Sequence, residues 1–324
     1  MAQTETPESD TPDASLTADD SFTATSSAGL TYPWGEFAPG EGQIHSVADG
    51  ISWARLPMPG SLGHINSWLL DDADDGIAVV DTGMLLESCS GAWKALFAGD
   101  LSGKAITRVI GTHLHPDHIG LAGWLCKRFG ADLWMSRGEW LTARMLIADV
   151  RDTPPDAYAI MQRAAGWDEA AVADMTSKGW GRFARMIFDL PVSYRRLHDG
   201  DLLDMGRHQW RVVVGSGHSP EHACLLNEKT GVLVSGDQVL PRISSNVSVH
   251  ISEPEADPLG EWLDSIDRLL TLPANLLVCP AHGEPFYGLH TRLVALRDEH
   301  LKRLDAVHAK IKETPLRAVD CFPQ

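Results

Sequence analysis

The hydrophobic pattern of the chain predicts an alternation of short strands and helices. Short apolar runs typical of buried strands recur through the central region. Helical spacing of apolar residues is clearest in residues 119–129, which end at Gly130, and in the segment that starts at Pro258 and carries Trp262 and Ile266. With 324 residues and 44% hydrophobic content, these elements can bury the core of one large domain or two small ones.

Several strand-like runs lead directly into polar residues that can bind metal. The runs at 77–80, 106–110, 210–214, 232–234 and 276–278 are followed by Asp81, the segment from His113 to His118, His218, Asp237 and His282. Functional groups are commonly displayed on such loops at strand ends. The repetition favours one site built from several loops, and its spread over the central region indicates a single catalytic domain.

The segment from Thr112 to His118 is the densest of these motifs, with three histidines and an aspartate. In an extended segment His113 and His115 point the same way, so both can bind one ion. Beyond the bend at Pro116, Asp117 and His118 can turn to a second ion. The spacing therefore predicts two neighbouring metals that share a bridging hydroxide.

This ordered set of motifs resembles the metallo-β-lactamase-fold hydrolases, a superfamily that includes glyoxalase II, lactonases and a branch of nucleases. The resemblance covers residues 43 to 313. It implies an α/β (α+β) fold, namely a four-layer αββα sandwich with a helical cap insertion at 137–190. The catalytic domain would span 31–288, and a helical tail would occupy 289–324.

The resemblance also implies a ligand set of seven residues in two groups. The first metal would be bound by His113, His115 and His218, the second by Asp117, His118 and His282, and Asp237 would bridge both. Asp81 matches a position whose carboxylate orients a ligand imidazole without contacting the metal. Capping of the following helix is the alternative role for Asp81.

Two Zn²⁺ ions are the expected cofactors, because imidazole nitrogen combined with carboxylate oxygen suits zinc; iron and manganese accept the same ligands. Water held between two such ions has its pKa lowered from about 16 toward about 7. The resulting hydroxide would attack a carbonyl carbon. Asp117 is the candidate catalytic residue that moves a proton once the hydroxide is consumed.

Three further polar residues are candidates for lining the substrate site. His64 and Asn66 precede a strand-like run at a position near the active-site mouth in the family, although Asn66 can equally hold a turn. His222 follows His218 within one segment. We favour His218 as the ligand and His222 as its hydrogen-bonding neighbour.

The cap and the tail carry two structural expectations. The cap insertion combines tryptophan and methionine with arginine, so it can line an apolar pocket and offer arginines to a carboxylate or phosphate; an ordinary helical hairpin that packs its own core is the alternative. Residues 289–313 have the pattern of a long helix. Its apolar face can pack on a second subunit as a homodimer.

Composition predicts a disordered N-terminal segment, free cysteines and a cytoplasmic location. Residues 1–30 are acidic and rich in Ser, Thr, Ala and Pro, and no Lys or Arg precedes Arg55, so this segment is expected to be disordered. The five cysteines lack CxxC pairing, which disfavours a disulfide framework, and Cys279 is read as a buried thiol. No signal peptide or apolar span is seen, so we expect a cytoplasmic protein without a membrane partner.

Among function classes, we favour hydrolysis of a small thioester, ester or lactone. The net charge of -17 disfavours a nucleic-acid partner and thus the second class, a phosphodiesterase or nuclease. Hydrolysis of a β-lactam amide is a further alternative, although no export signal is present. A mononuclear iron persulfide dioxygenase is the last; it would leave Asp117, His118 and His282 without a metal role.

Overall fold

The computed structural model describes residues 22–321 as two β-sheets packed face to face between helices. Residues 1–21, most of the segment expected to be disordered, and 322–324 lie outside the described residues. The first sheet has seven strands in chain order, with antiparallel pairing among the first four and parallel pairing thereafter. Its strands are β3 (His45–Ala48), β4 (Ile51–Pro57), β5 (His64–Asp71), β6 (Ile77–Val80), β7 (Ile106–Ile110), β8 (Asp132–Ser136) and β9 (Arg195–Leu197).

The second sheet has five strands in chain order. The first four pair antiparallel, and the last two pair parallel. Its strands are β10 (Leu202–Met205), β11 (His208–Gly215), β12 (His222–Asn227), β13 (Val232–Gly236) and β14 (Leu277–Pro280).

In the part of the chain that the structure describes, eight α-helices cover the outer faces of the sheets and form the cap. They are α1 (Glu87–Ala98), α2 (Pro116–Ile119), α3 (Ala122–Phe129), α4 (Arg137–Ala148), α5 (Asp156–Ala165), α6 (Glu169–Ser177), α7 (Pro258–Leu269) and α8 (Leu289–Glu313). The helix predicted at Pro258 and the long helix at 289–313 are confirmed. The helix predicted over 119–129 starts at Ala122 instead, because Gly120 and Leu121 separate it from the short turn α2.

Three apolar layers hold this arrangement together. Side chains from both sheets meet between them, where Trp53 stacks on Trp68 at a centroid distance of 6.1 Å and Trp210 joins from the second sheet. The outer face of the first sheet packs on α1 and α3, and that of the second sheet packs on α7 and α8. The predicted αββα sandwich is therefore confirmed, with each sheet buried on both faces.

Residues 22–32 differ from the expectation of disorder up to residue 30. They contain a hairpin of β1 (Thr25–Ser27) and β2 (Leu30–Tyr32). Its two-residue turn has positive φ at Ala28 and Gly29, the geometry of a tight hairpin turn. Leu30 is buried in the layer that contains α8, and this contact holds the hairpin in place. The polar composition of residues 1–30 does not predict it.

The first turns of the predicted tail pack on neighbouring elements. Leu289, Leu293 and Leu296 of α8 are buried against α7 and the second sheet, and the division at residue 288 stays a prediction. The rest of α8 is largely exposed. Within residues 22–321, none of the helices combines the length and the apolar character needed to cross a bilayer.

Candidate metal centre

The polar residues predicted from the strand ends meet at one edge of the two sheets. β6 and β7 run parallel, and so do β13 and β14, so the carboxyl ends within each pair point to the same edge. β11 has the same direction as β13, because each is antiparallel to β12. The segments after β7, β11, β13 and β14 bring together all seven predicted ligands, and the loop after β6 carries Asp81.

The first group of ligands is a triangle of imidazole nitrogens. His113 Nε2 lies 2.8 Å from His115 Nδ1 and 3.2 Å from His218 Nε2, and the last two nitrogens are 3.1 Å apart. Three nitrogens bound tetrahedrally to one zinc ion would be separated by about 3.3 Å. The triangle therefore has nearly the size that one zinc ion requires.

The second group lies beside the first and shares Asp237 with it. His282 Nε2 is 3.3 Å from Asp117 Oδ2, and His118 Nε2 is 3.6 Å from the same atom. Asp237 Oδ2 lies 3.4 Å from His218 Nε2 and 3.5 Å from His118 Nε2. One carboxylate thus faces both groups, as a bridging ligand must.

The donor set fits metal ions, because three of its buried atoms lack a protein partner. Within residues 22–321, His118 Nε2, His282 Nε2 and Asp237 Oδ1 are buried without a hydrogen-bond partner. Such atoms are costly to bury unless a ligand satisfies them. At His118, burial would lower the pKa, but the carboxylates of Asp81, Asp117 and Asp237 outweigh it and raise the pKa well above its ordinary value. Carboxylates that favour a proton there also favour a metal cation.

Hydrogen bonds to the opposite nitrogen fix the orientation of most ligand rings. His218 Nδ1 lies 2.7 Å from the carbonyl oxygen of Asn246, and His282 Nδ1 lies 2.8 Å from that of His64. A carbonyl only accepts, so each Nδ1 carries the proton and each Nε2 has its lone pair directed into the centre. The carbonyls of Asn246 and His64 therefore set the tautomers of His218 and His282.

Asp81 holds His118 in the same way but with a carboxylate. Its Oδ2 is 2.7 Å from His118 Nδ1, while Oδ1 accepts the backbone N–H of Thr112 at 2.9 Å. The residue has φ of +61°, a left-handed conformation that Asp tolerates better than most residues. Its carboxylate is thus committed to the ligand loop and does not cap a helix.

Glu139 connects the two loops that carry the first ligand group, and sequence reasoning did not find it. This fully buried carboxylate of α4 accepts Leu114 N–H at 2.9 Å, Ser219 Oγ–H at 2.6 Å and Glu221 N–H at 2.7 Å. Burial raises its pKa to about 7, against the effect of these hydrogen bonds. Its position in the first turn of α4, three residues after the end of β8, was the available signal.

The candidates for substrate lining have different environments. Asn66 is fully buried, accepts from Trp53 and donates to the carbonyls of Pro280 and Gly283, so it fixes the loop that carries His282. His222 is also fully buried and accepts Asp237 N–H at 3.1 Å. Neither presents a surface to a substrate, because its polar atoms are turned to the protein.

His64 alone of these three lies partly exposed beside the second ligand group. Its Nε2 accepts Gly283 N–H at 3.0 Å, and burial, followed by the charges of Arg55 and His282, lowers its pKa to about 4. The ring is therefore neutral at neutral pH. Cys279 is buried at a strand end, as expected, and all five cysteines are free.

A cavity of about 390 Å³ opens beside the first ligand group. We call it the metal-side cavity; its walls include His115 and His218 from the centre, Thr142, Leu146 and Phe183 from the cap, and Asn246, His250 and Glu253 from the loop before α7. This volume is typical of small-molecule sites. None of the predicted cap arginines is among the residues that line it; Arg144 instead stacks over Trp140.

Comparison with known proteins agrees with this architecture. A family model described as the metallo-beta-lactamase superfamily matches residues 60–282. A solved beta-lactamase domain protein from Burkholderia ambifaria is 40% identical, with a TM-score of 0.83 over 91% of this chain and 84% of that one. Probable metallo-hydrolase YqjP of Bacillus subtilis is 23% identical over 83% of each chain. Acyl-coenzyme A thioesterase MBLAC2 of Homo sapiens is 25% identical over 85% of this chain and 91% of its own.

Proposed function

The chain belongs to the metallo-β-lactamase superfamily, and from that premise we propose that it is a dinuclear metal hydrolase of small thioesters, with esters and lactones as related substrates. The observation that carries this proposal is the pair of adjoining ligand groups with Asp237 between them. His113, His115 and His218 would hold one ion, and Asp117, His118 and His282 the other. The site suits two Zn²⁺ ions, and iron and manganese are the alternatives.

In the proposed mechanism the metal ions activate the water, and protein side chains hold the ions and transfer the proton. When bound, the ions supply a water of lowered pKa and polarise the substrate carbonyl. Asp237 and the imidazoles would hold these ions, and two of the imidazoles, His115 and His218, line the metal-side cavity. Asp117 is partly exposed, with 18% of its side-chain surface accessible, and lies within 3.3 Å of His282. It is therefore placed to pass a proton to the departing thiolate or alkoxide.

Two observations support a carbonyl substrate over a phosphodiester. MBLAC2, which resembles this chain over most of both lengths, is named as an acyl-coenzyme A thioesterase. The metal-side cavity is lined by Glu253 and Glu261 and by apolar cap residues, without an arginine or lysine. A polyanionic backbone requires cationic neighbours, whereas a neutral acyl group does not.

A substrate panel with metal analysis tests the proposal. The purified protein, its bound metals quantified, is assayed with S-acetyl glutathione, acetyl-coenzyme A, a lactone, a cephalosporin and a phosphodiester. We expect two metal ions per chain and the highest kcat/KM with a thioester. Turnover of the phosphodiester alone would overturn the assignment, and one iron per chain without hydrolysis would favour persulfide oxidation.

The role of Asp117 is tested by Asp117→Asn. The amide keeps the size of the side chain but cannot accept and release a proton at neutral pH. Because Asp117 is also a proposed ligand of the second ion, the assay is run at metal concentrations that load both sites, and we expect kcat to fall by about 10²-fold or more, the contribution of a general acid. Retention of both ions with full turnover would contradict the proton transfer.

A further inference from the structure

A second cavity lies inside the cap, next to the metal-side cavity. Its volume is about 360 Å³, and we call it the cap chamber; its apolar walls are Leu146, Tyr158, Met175, Trp180 and Phe183. Tyr158 and Trp180 pack with ring centroids 5.4 Å apart, so one wall is a broad aromatic surface.

The two cavities meet at a boundary made of three side chains. Leu146, Phe183 and His250 line both of them. Leu146 and Phe183 are half-buried and come from α4 and from the 3-10 turn Arg182–Met186, whereas His250 comes from the exposed loop before α7. A ligand that starts at His115 and His218 and passes these side chains therefore enters the cap chamber.

The polar groups around the chamber are largely committed to one another. Asp149 accepts Trp180 Nε1–H at 2.7 Å and Arg151 Nε–H at 2.6 Å. Lys178 Nζ pairs with Asp174 at 2.7 Å, and both side chains are exposed. Arg182 and His250 also line the chamber, next to the leucine, methionine and aromatic side chains that can contact an apolar ligand.

We propose that the cap chamber binds the acyl chain of an extended thioester, while its carbonyl lies at the metal centre. This inference rests on the proposed hydrolysis and adds a substrate class, acyl groups of medium length or aryl-acyl groups. A ligand in both cavities places its apolar end against the cap and leaves the thiol portion directed to solvent. Each methylene removed from water multiplies the binding constant by about four, so the chamber would select substrates by the length of the acyl chain.

The test compares chain length and leaving group separately. Release of free thiol is measured for acetyl and octanoyl thioesters of N-acetylcysteamine and of coenzyme A. We expect kcat/KM to be at least tenfold higher for octanoyl than for acetyl with either thiol. Leu146→Trp, which fills the boundary, and Met175→Trp, which fills the chamber from α6, are expected to reduce that ratio at least fivefold.

Leu141→Trp is the matched control. Leu141 lies on the same helix as Leu146, is 52% exposed and lines neither cavity, so the ratio should stay at the wild-type value. Thermal melting of each variant separates loss of selectivity from loss of fold. If only one of Leu146→Trp and Met175→Trp folds, that variant is sufficient for the test. A folded Leu146→Trp or Met175→Trp variant that keeps the wild-type ratio, or selectivity that follows the thiol instead of the acyl chain, overturns the chamber assignment. Absence of turnover with all four thioesters overturns the proposed function instead.

Discussion

At the scale of single residues, the centre is organised by what lies behind the ligands. Asp81 holds His118, the carbonyl of Asn246 holds His218, and that of His64 holds His282. These contacts determine which nitrogen of each ring is free for a metal. The residues behind the ligands are closely packed. Gly236 directly precedes Asp237, and a Cβ on Gly236 would lie 2.5 Å from His222 Nε2.

Asp81→Asn is expected to weaken the second metal selectively. The amide can present an N–H to His118 Nδ1, which already carries a proton, so the ring loses its fixed orientation. Affinity for the second ion should fall by about 10- to 100-fold, while the first ion is retained. Metal content after dialysis against a graded chelator measures this. The exposed ion-paired Asp132→Asn is the control, and equal loss of both ions would contradict the assignment.

Glu139→Gln is expected to act on the first ligand group. One amide oxygen can still accept from Ser219 and Glu221, but the amide nitrogen then opposes Leu114 N–H, which lies between His113 and His115. Affinity for the first ion should fall by about tenfold, and Tm should fall with it. Cobalt titration followed by visible absorption reports the site directly. Glu169→Gln, exposed in the cap, should leave the titration unchanged, and an effect confined to the second ion would refute this role.

The ligands could be predicted from sequence because histidine and aspartate at successive strand ends are chemically distinctive. Glu139 could not be recognised in the same way, since a single Glu in a helical segment looks like a solvated residue until its partners are known. Those of Glu139 are 25 to 82 positions away along the chain. For a similar reason the sequence leaves two roles open for Asn66, lining the substrate site or holding a turn: its partner Pro280 is 214 residues away.

At the scale of elements, α8 has two unlike halves. Leu289, Leu293 and Leu296 are buried in the core, whereas Leu301, Leu304 and Ile311 are 44%, 45% and 50% exposed. The apolar spacing predicted the helix but not where its contacts end. Periodicity describes a face of a helix, and only the packing of α7 and the second sheet decides how much of that face is covered.

Leu293→Ala and Leu301→Ala measure this difference within one helix. Truncation at the buried position leaves a cavity and should lower the free energy of unfolding by about 2–5 kcal/mol. At the exposed position the change should stay within about 0.5 kcal/mol when the protein is dilute enough for the homodimer proposed below to dissociate. Urea denaturation at fixed metal concentration gives both values. Comparable losses would mean that the outer half of α8 is also covered in solution.

At the scale of the whole molecule, the sandwich aligns five strand ends and the cap closes over one side of them. The role of the cap, the domain boundaries, the cytoplasmic location and the homodimer all stay predictions.

The homodimer would form on α8, where Val294, Leu301, Leu304 and Ile311 form an exposed stripe. We expect light scattering to give a dimer that Leu304→Glu dissociates; a monomeric wild-type protein would refute it.

Metal titration with a thioester tests the central claim most directly. Metal-free protein is given Zn²⁺ in steps, and thiol release from an octanoyl thioester of N-acetylcysteamine is followed at each step. A centre of two ions bridged by Asp237 predicts that turnover rises to its maximum as the second equivalent binds, and that Asp237→Ala abolishes this second step. Full turnover with one equivalent, or none with two ions bound, would contradict the account.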